Sequence, residues 1–261
     1  TANPRGARSR RCERRTRLLL HPISEPVYTD APRARLLAYL DGRTTLSEAG
    51  VQVGDATYRI VHPAAPDALI DEADFERDER LPYWAELWPS AVALARRLAR
   101  SALSDIRAIE LGCGVGLPTV AALAAGAGVT ATDHYRAALD FARYNARLNL
   151  AHDREPDTRL LDWRAPMPDS FGGAFDLVFA ADVLYERGNA EALAVLMPSL
   201  LAPRGEILVA DPGRRWEPLF RELMLDGGFG FETEETVVGQ AADRRGVNVV
   251  VHRIFGGSTA G

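Results

Sequence analysis

The chain has 261 residues, of which 47% are hydrophobic and 26% charged, a composition typical of a globular protein with a substantial core. All 31 basic residues are arginines, which excludes enzymes that need a lysine for a Walker phosphate loop or a Schiff base. The formal net charge is −5, but residues 1–17 hold seven Arg and one Glu, so the remainder carries −11. An acidic body disfavours non-specific nucleic-acid binding and favours cationic partners.

Cysteine and histidine usage indicates neither a disulfide framework nor a metal site. Cys12 and Cys113 lie in unlike contexts, and the five histidines show no ligand spacing. We therefore expect no bound metal and a reducing, cytoplasmic compartment. No segment has the length and apolar character of a transmembrane helix. The apolar run between the early arginines and His21 is only Leu18-Leu19-Leu20, too short for an export signal.

The first 81 residues are predicted to hold little of the regular fold. Residues 1–30 are predicted as a disordered basic arm, and 31–81 as an extension with a helix over 31–40 and short strands. Alternating residues over 51–61 predict either a hairpin or a pair of edge strands. Residues 67–80 hold seven acids against two arginines, which predicts a solvated loop, with guidance of a cationic substrate as the alternative.

Strands and helices alternate over residues 82–255, the predicted catalytic domain. Strands are predicted over 106–111, 129–132, 158–161, 175–181, 206–210, 231–238 and 247–255. Helices are predicted over 89–100, 118–125, 135–150, around 193–200 and over 217–226, with Pro198 expected to kink its helix or end it early. The pattern predicts a doubly wound, mostly parallel, seven-stranded α/β sheet of Rossmann-like type with a C-terminal antiparallel hairpin, followed by a flexible tail at 256–261.

A glycine-rich loop follows the first strand of this domain. Gly112, Gly114 and Gly116 permit positive φ and close ligand approach beside a helix amino end, and Cys113 is a small residue between them. Dinucleotide binding would need the third glycine one or three residues further on, which argues against a nicotinamide dehydrogenase. Glu110 precedes the loop, where a carboxylate is badly placed for phosphate but suits a ligand that carries an ammonium group.

Acidic residues at the ends of the next two strands predict a nucleoside. Asp133 follows Gly112 by 21 residues and is placed to accept hydrogen bonds from two ribose hydroxyls. Asp162 and Trp163 are expected to end the third strand, where the carboxylate can accept the exocyclic adenine amine and the indole offers an apolar wall. Together these residues predict an adenosine without phosphates that is attached to an amino acid.

Residues 82–255 resemble the seven-strand S-adenosylmethionine-dependent methyltransferases. The shared features are the acid-x-Gly-x-Gly-x-Gly motif and a sheet that ends in an antiparallel hairpin. This resemblance implies S-adenosyl-L-methionine as the cofactor and S-adenosyl-L-homocysteine as the product. It is specific for the cofactor and weak for the substrate.

The fourth strand ends in a sequence that narrows the resemblance. Ala181 and Asp182 close that strand and Tyr185 follows, while Trp84 and Trp88 stand upstream before a helix. This pairing looks like the lysine methyltransferases that act on the electron-transfer flavoprotein β subunit and on valosin-containing protein. The resemblance implies that the Asp and Tyr line the acceptor site and that the second Trp packs beside the cofactor. Ala181 is also predicted to bind the cofactor. The alternative is a loop-capping Asp, a packing Tyr and tryptophans of the core.

The resulting hypothesis is an enzyme that N-methylates a lysine side chain of a protein, which the acidic body would suit if that protein is basic. A neutral amine attacks in line, so alignment and water exclusion should dominate catalysis. Asp182 would orient the incoming ammonium, and Tyr185 would offer a ring face or a hydroxyl. A small-molecule N- or O-methyltransferase and a non-catalytic S-adenosylmethionine-binding protein stay as alternatives. No nucleic-acid or membrane partner is expected.

Overall fold

The computed structural model describes residues 30–70, 81–240 and 243–256. The predicted basic arm and the predicted flexible tail lie outside the described residues except for one residue each, and so does most of the acidic segment at 67–80. Within the described ranges, no helix combines the length and the apolar character needed to cross a bilayer.

The described chain alternates between helices and strands after an initial helix and hairpin. The helices are α1 Asp30–Leu40, α2 Pro89–Ala99, α3 Leu117–Ala124, α4 Arg136–Asn149, α5 Arg187–Leu200 and α6 Glu217–Asp226. The strands are β1 Leu46–Val53, β2 Ala56–Pro63, β3 Arg107–Leu111, β4 Gly128–Asp133, β5 Asp157–Leu160, β6 Phe175–Ala181, β7 Leu201–Asp211, β8 Phe229–Gln240 and β9 Asp243–Gly256. Short 3₁₀ turns occupy Pro66–Leu69, Tyr83–Ala85 and Asp169–Phe171.

The main sheet has seven strands in the order β5-β4-β3-β6-β7-β9-β8. Strands β3 to β7 pair in parallel, whereas β9 runs antiparallel to both β7 and β8. The predicted fold class and terminal hairpin are therefore confirmed. The strand order reverses beside β3, since the chain moves outward to β5 and then returns to β6 on the other side. Ligands of such sheets bind in the crevice at this reversal, at the carboxyl ends of the strands.

Helices cover both faces of the sheet, and strand β6 shows how the core is divided. Leu177 and Phe179 pack in the cluster formed with α2 and α3, whereas Val178 and Ala180 pack in the cluster formed with α5 and α6. All four side chains are at most 2% exposed. A strand buried on both faces has an unbroken apolar sequence instead of an alternating one, as is typical of parallel sheets.

Helix α5 corrects the prediction for Pro198. The helix continues through Pro198 to Leu200, so the predicted early end is wrong. Met197 and Leu200 are fully buried in the core, and their burial holds the last turn in place although proline lacks a backbone donor. The N–H of Leu201 donates to the Pro198 carbonyl and closes that turn.

The N-terminal strands form an antiparallel hairpin, which decides between the two predicted arrangements for 51–61. Two asparagines of α4 bind its second strand. Asn149 accepts from the N–H of Arg59 and donates to its carbonyl, both at 2.8 Å. Asn145 makes the same pair of bonds with Val61, at 2.8 and 2.9 Å, and also donates to the Val115 carbonyl at 2.8 Å. One buried amide therefore joins the hairpin, α4 and the glycine loop.

Candidate active site

A cleft with an empty volume of about 1070 Å³, which includes open solvent, lies at the carboxyl ends of the parallel strands. The cleft is lined by every residue that the sequence predicted for the site, namely Trp88, Glu110, Gly112, Cys113, Gly114, Gly116, Asp133, Asp162, Trp163, Ala181, Asp182 and Tyr185.

The glycine loop needs its glycines for packing as well as for ligand approach. Gly116 has φ +85°, and a Cβ there would lie 2.6 Å from the Cα of Ala142 on α4. Gly114 has φ +51°, and a Cβ there would lie 3.1 Å from the carbonyl oxygen of Trp84. Larger residues would therefore push α4 and the turn at Tyr83–Ala85 away from the loop.

Asp133 ends β4 with its carboxylate at the edge of the cleft, and only 5% of the residue is exposed. One carboxylate oxygen accepts from the N–H of Gly114 at 3.0 Å, and the other accepts from the N–H of Tyr135 at 2.9 Å. Burial raises the pKa of this carboxyl group to about 6, against the lowering effect of these backbone donors. The carboxylate is thus held in a fixed orientation and can still accept two further hydrogen bonds.

Glu110 and Cys113 are buried at the base of the loop. The Thr119 hydroxyl donates to the Glu110 carboxyl group, which is 1% exposed. Burial raises the pKa of Glu110 well above its ordinary value, against the lowering effect of the Thr119 hydrogen bond. Burial also raises the pKa of the Cys113 thiol well above its ordinary value, which argues against thiolate chemistry there.

Asp162 and Trp163 line the cleft as predicted but do not end the third strand. Strand β5 stops at Leu160, and the chain then turns, with the N–H of Arg164 donating to the Asp162 carboxylate at 3.0 Å. A Cβ on Gly112 would lie 3.1 Å from the Trp163 ring, so the indole packs directly against the loop. The strand was predicted to run to residue 161, one residue too far, because Leu161 continues the apolar pattern.

Asp182 follows β6 in a strained conformation, with φ +60°, and is 7% exposed. The Ser90 hydroxyl, in the first turn of α2, donates to one carboxylate oxygen at 3.2 Å. The Nε of Arg214 donates to the other oxygen at 2.6 Å. The carboxylate is therefore held by two elements distant from it in the chain, and a strained, buried acid of this kind is typical of functional sites.

Three aromatic residues, Tyr83, Trp88 and Tyr185, line the same cleft as this carboxylate. The Tyr83 ring centroid lies 4.9 Å from that of Tyr185 and 6.2 Å from that of Trp88. The guanidinium carbon of Arg214 lies 5.4 Å from the Trp88 ring centroid. Burial raises the pKa of the Tyr185 hydroxyl above its ordinary value, so this group stays protonated. This end of the cleft thus presents acidic side chains among aromatic rings, which suits an amine.

Sequence reasoning missed Tyr83, Ser90 and Arg214. Tyr83 stands within the aromatic segment before α2, but its spacing does not distinguish it from the neighbouring tryptophans. Ser90 carries no signal of its own. Arg214 had a usable signal, because Asp211 ends a parallel strand and a Pro-Gly turn follows it, which puts the next residue at the same edge of the sheet as Asp182.

Comparison with known proteins agrees with this geometry. A family model described as lysine methyltransferase matches residues 74–219. The mouse protein N-lysine methyltransferase METTL21A is 34% identical over 130 residues, which cover 48% of this chain and 59% of that protein. The electron transfer flavoprotein beta subunit lysine methyltransferase of Danio rerio is 31% identical over 144 residues, or 51% of each chain. The matched region thus spans little more than half the length of these relatives.

Solved structures share the fold at lower identity. Magnesium protoporphyrin IX methyltransferase (ChlM) from Synechocystis PCC 6803, solved with bound SAM, is 19% identical with a TM-score of 0.51. The superposition covers 72% of this chain and 86% of that one. The family model spans more than half of the chain and contains every residue predicted for the site, so the resemblance inferred from the sequence is confirmed. The chain belongs to the lysine methyltransferase family.

Proposed function

We propose that this chain is an S-adenosylmethionine-dependent methyltransferase that N-methylates a lysine side chain of a protein. The observation that carries the proposal is that the glycine loop with Asp133 and the pair Asp182 and Tyr185 line one cleft. Membership of the lysine methyltransferase family supports it. The names of the relatives from mouse and Danio rerio support a protein as the acceptor.

The residues at one end of the cleft fit this cofactor. Gly112 and its neighbours bring bare backbone to the cleft, and the buried Asp133 carboxylate has lone pairs left for two ribose hydroxyls. Trp163 would cover an adenine, and Asp162 would accept its amine. Glu110 would take its charged form beside the amino group of the methionine part. When bound, S-adenosyl-L-methionine supplies a sulfonium methyl group and leaves as S-adenosyl-L-homocysteine.

The residues at the other end suit the acceptor. A lysine amine has an ordinary pKa near 10.4 and must lose its proton before it can attack carbon. Asp182, held by Ser90 and Arg214, would fix the direction of the incoming nitrogen by accepting a hydrogen bond. Tyr185 and Tyr83 would flank the aliphatic part of the side chain and exclude water. Alignment in a dry cleft is the main source of rate in a displacement that creates little net charge.

The charge of the chain supports a basic protein as the partner. The body after residue 17 carries a formal charge of −11, and Glu86 lines the cleft beside Asp182. Complementary charge speeds the encounter and selects partners. The same proposal places the reaction in the cytoplasm. Cys113 is a buried free thiol, so it requires no oxidising compartment for disulfide formation.

Methyl transfer from tritiated S-adenosyl-L-methionine into a cell extract tests the proposal. The expected result is label in the protein fraction that is recovered as methylated lysine after hydrolysis. This chain contains no lysine, so such label cannot come from automethylation of the enzyme. Label confined to the small-molecule fraction would favour a small-molecule methyltransferase instead. Cofactor binding without any transfer would favour a non-catalytic binding protein.

Calorimetry tests the cofactor separately. We expect S-adenosyl-L-methionine and S-adenosyl-L-homocysteine to bind, and NAD to bind much more weakly, because the glycine spacing does not suit a pyrophosphate. Preference for NAD would contradict the proposal.

A further inference from the structure

Arg214 binds the acid of the acceptor site although it does not belong to the residues that line the cleft. Its side chain is 35% exposed, whereas the side chain of Asp182 is 4% exposed. The 2.6 Å contact between Arg214 Nε and Asp182 Oδ1 therefore joins a partly exposed guanidinium to a buried carboxylate. The ring of Trp88 packs against the guanidinium and restricts its position.

The loop that carries Arg214 is itself fixed. Asp211 ends β7 and accepts from the N–H of Gly213 at 2.8 Å and from the N–H of Arg214 at 2.6 Å. The N–H of Asp182 donates to the carbonyl of Ala210 at 2.9 Å. The pairing of β6 with β7 thus fixes the backbone positions of both Asp182 and Arg214, and with them the geometry of the ion pair.

We propose that Arg214 is a positioning residue of the acceptor site, which holds and neutralises Asp182 so that the acceptor amine attacks in its uncharged form. This inference rests on the proposed function. A buried carboxylate without a counter-charge would stabilise the ammonium form of the acceptor, which cannot attack. A guanidinium keeps its charge at every working pH, and its planar donors fix the carboxylate in one orientation.

The surrounding charges agree with this role. Asp182 is contacted by Ser90 and Arg214, and it interacts electrostatically with Glu86 and Asp211. The groups that act on Arg214 are Asp182, Asp211 and Tyr83. Glu86 also interacts with Asp67 and His62, and Arg164 lines the cleft. The cation in direct contact with Asp182 is Arg214, so its removal leaves that carboxylate without its bound counter-charge.

Three variants test the inference. Arg214→Gln removes the charge, Arg214→Lys keeps it, and Arg215→Gln is the matched control, since the guanidinium of Arg215 lies over the ring of Trp216 at 4.9 Å. The initial rate of tritium transfer into the extract protein fraction is measured between about pH 6.5 and 9.5, the range in which a perturbed amine would titrate. Cofactor affinity is measured by calorimetry for each variant.

For Arg214→Gln we expect a rate about tenfold lower at neutral pH, and a rate–pH profile shifted upward by about half to one pH unit. Its cofactor affinity should stay within about twofold of the original value, because the arginine does not line the cofactor end. Arg214→Lys should keep the position of the profile with a smaller loss of rate, and Arg215→Gln should match the unaltered chain.

Several outcomes would overturn the inference. These are an unchanged rate and profile in Arg214→Gln, a uniform loss of rate without a shift, or the same shift in Arg214→Lys. If the unaltered chain transfers no methyl group, the proposed function fails and this inference fails with it. If the unaltered chain is active and Arg214→Gln equals it, only the inference fails.

A measurement without turnover tests the ion pair itself. Melting temperatures of Asp182→Asn, Arg214→Gln and the double variant form a thermodynamic cycle. We expect the double variant to melt close to the less stable single variant, because either change alone already breaks the pair. Fully additive shifts would mean that the two side chains do not interact and would overturn the inference.

Discussion

The two ends of the cleft differ in whether backbone or side-chain groups form them. The cofactor end consists of one short loop whose backbone binds a nearby acid, as in the bond from the N–H of Gly114 to Asp133. The acceptor end is assembled from side chains of three distant segments, which contribute Tyr83, Asp182 and Arg214. The first end depends on local backbone geometry and the second on tertiary packing. Substitutions should therefore damage the two ends in separable ways.

The largest expected effect comes from Gly116→Ala, which combines a left-handed backbone with a Cβ 2.6 Å from the Cα of Ala142. We expect a loss of about 3 kcal/mol or more in the free energy of unfolding, because strain and overpacking add. Gly42→Ala is the matched control, since φ there is +71° and nothing lies within 4 Å of the added Cβ. It should cost about 1 kcal/mol in chemical denaturation. Equal losses in both variants would mean that loop packing contributes nothing.

The next effect belongs to the acceptor end. Asp182→Asn should lower methyl transfer at least about 100-fold, or about 2.7 kcal/mol, while cofactor affinity measured by calorimetry stays within about twofold. Asparagine tolerates the positive φ of this position, so the backbone is retained. Asp105→Asn is the control, because Asp105 also has positive φ, at 64°, but is exposed and does not line the cleft. Full activity of Asp182→Asn would remove its assigned role.

These two ends also explain what could be predicted from the sequence. The glycine spacing, Asp133 and the alternation of strands and helices are local signals, and they predicted the fold class and the loop correctly. The end of β5 was predicted one residue too late because the apolar Leu161 resembles a continuing strand. Ser90 was missed because it meets Asp182 only through the packing of α2, which no local pattern encodes. Arg214 was missed although the Pro-Gly turn after Asp211 indicated its edge of the sheet, because the contact itself depends on the pairing of β6 with β7.

A smaller effect is expected at the ribose end of the cleft. Asp133→Ala should weaken cofactor binding by about 1–3 kcal/mol, because two hydroxyls would lose their acceptor. Asp162→Ala should cost less, since its side chain is 38% exposed and water replaces part of the interaction. Calorimetry of both variants checks this order. An unchanged affinity in Asp133→Ala would assign the ribose to another residue.

The smallest effect is a pH dependence of cofactor affinity. Burial raises the pKa of Asp133 from 3.8 to about 6, so the free site holds a proton at pH 5 that the bound site must release. We expect affinity to fall about tenfold between pH 7 and pH 5 and Asp133→Asn to lose most of this dependence. The protonated carboxyl group of Asp133 also adds to the free energy of unfolding of the cofactor-free chain below about pH 4. This stabilisation is lost as the pH rises through 6. A flat calorimetric profile would contradict the assignment.

The side chain of Asn145 links the hairpin to the glycine loop at the cofactor end of the cleft. Its amide donates at once to a carbonyl of β2 and to a carbonyl of the glycine loop. A motion that separates the hairpin from α4 should also break the hydrogen bond from Asn145 to the loop carbonyl. Because the amide is buried, water does not replace that bond without a cost in free energy. Local opening of the hairpin and release of the cofactor should therefore be coupled. Hydrogen exchange of the Val61 amide should then report whether cofactor is bound at the glycine loop.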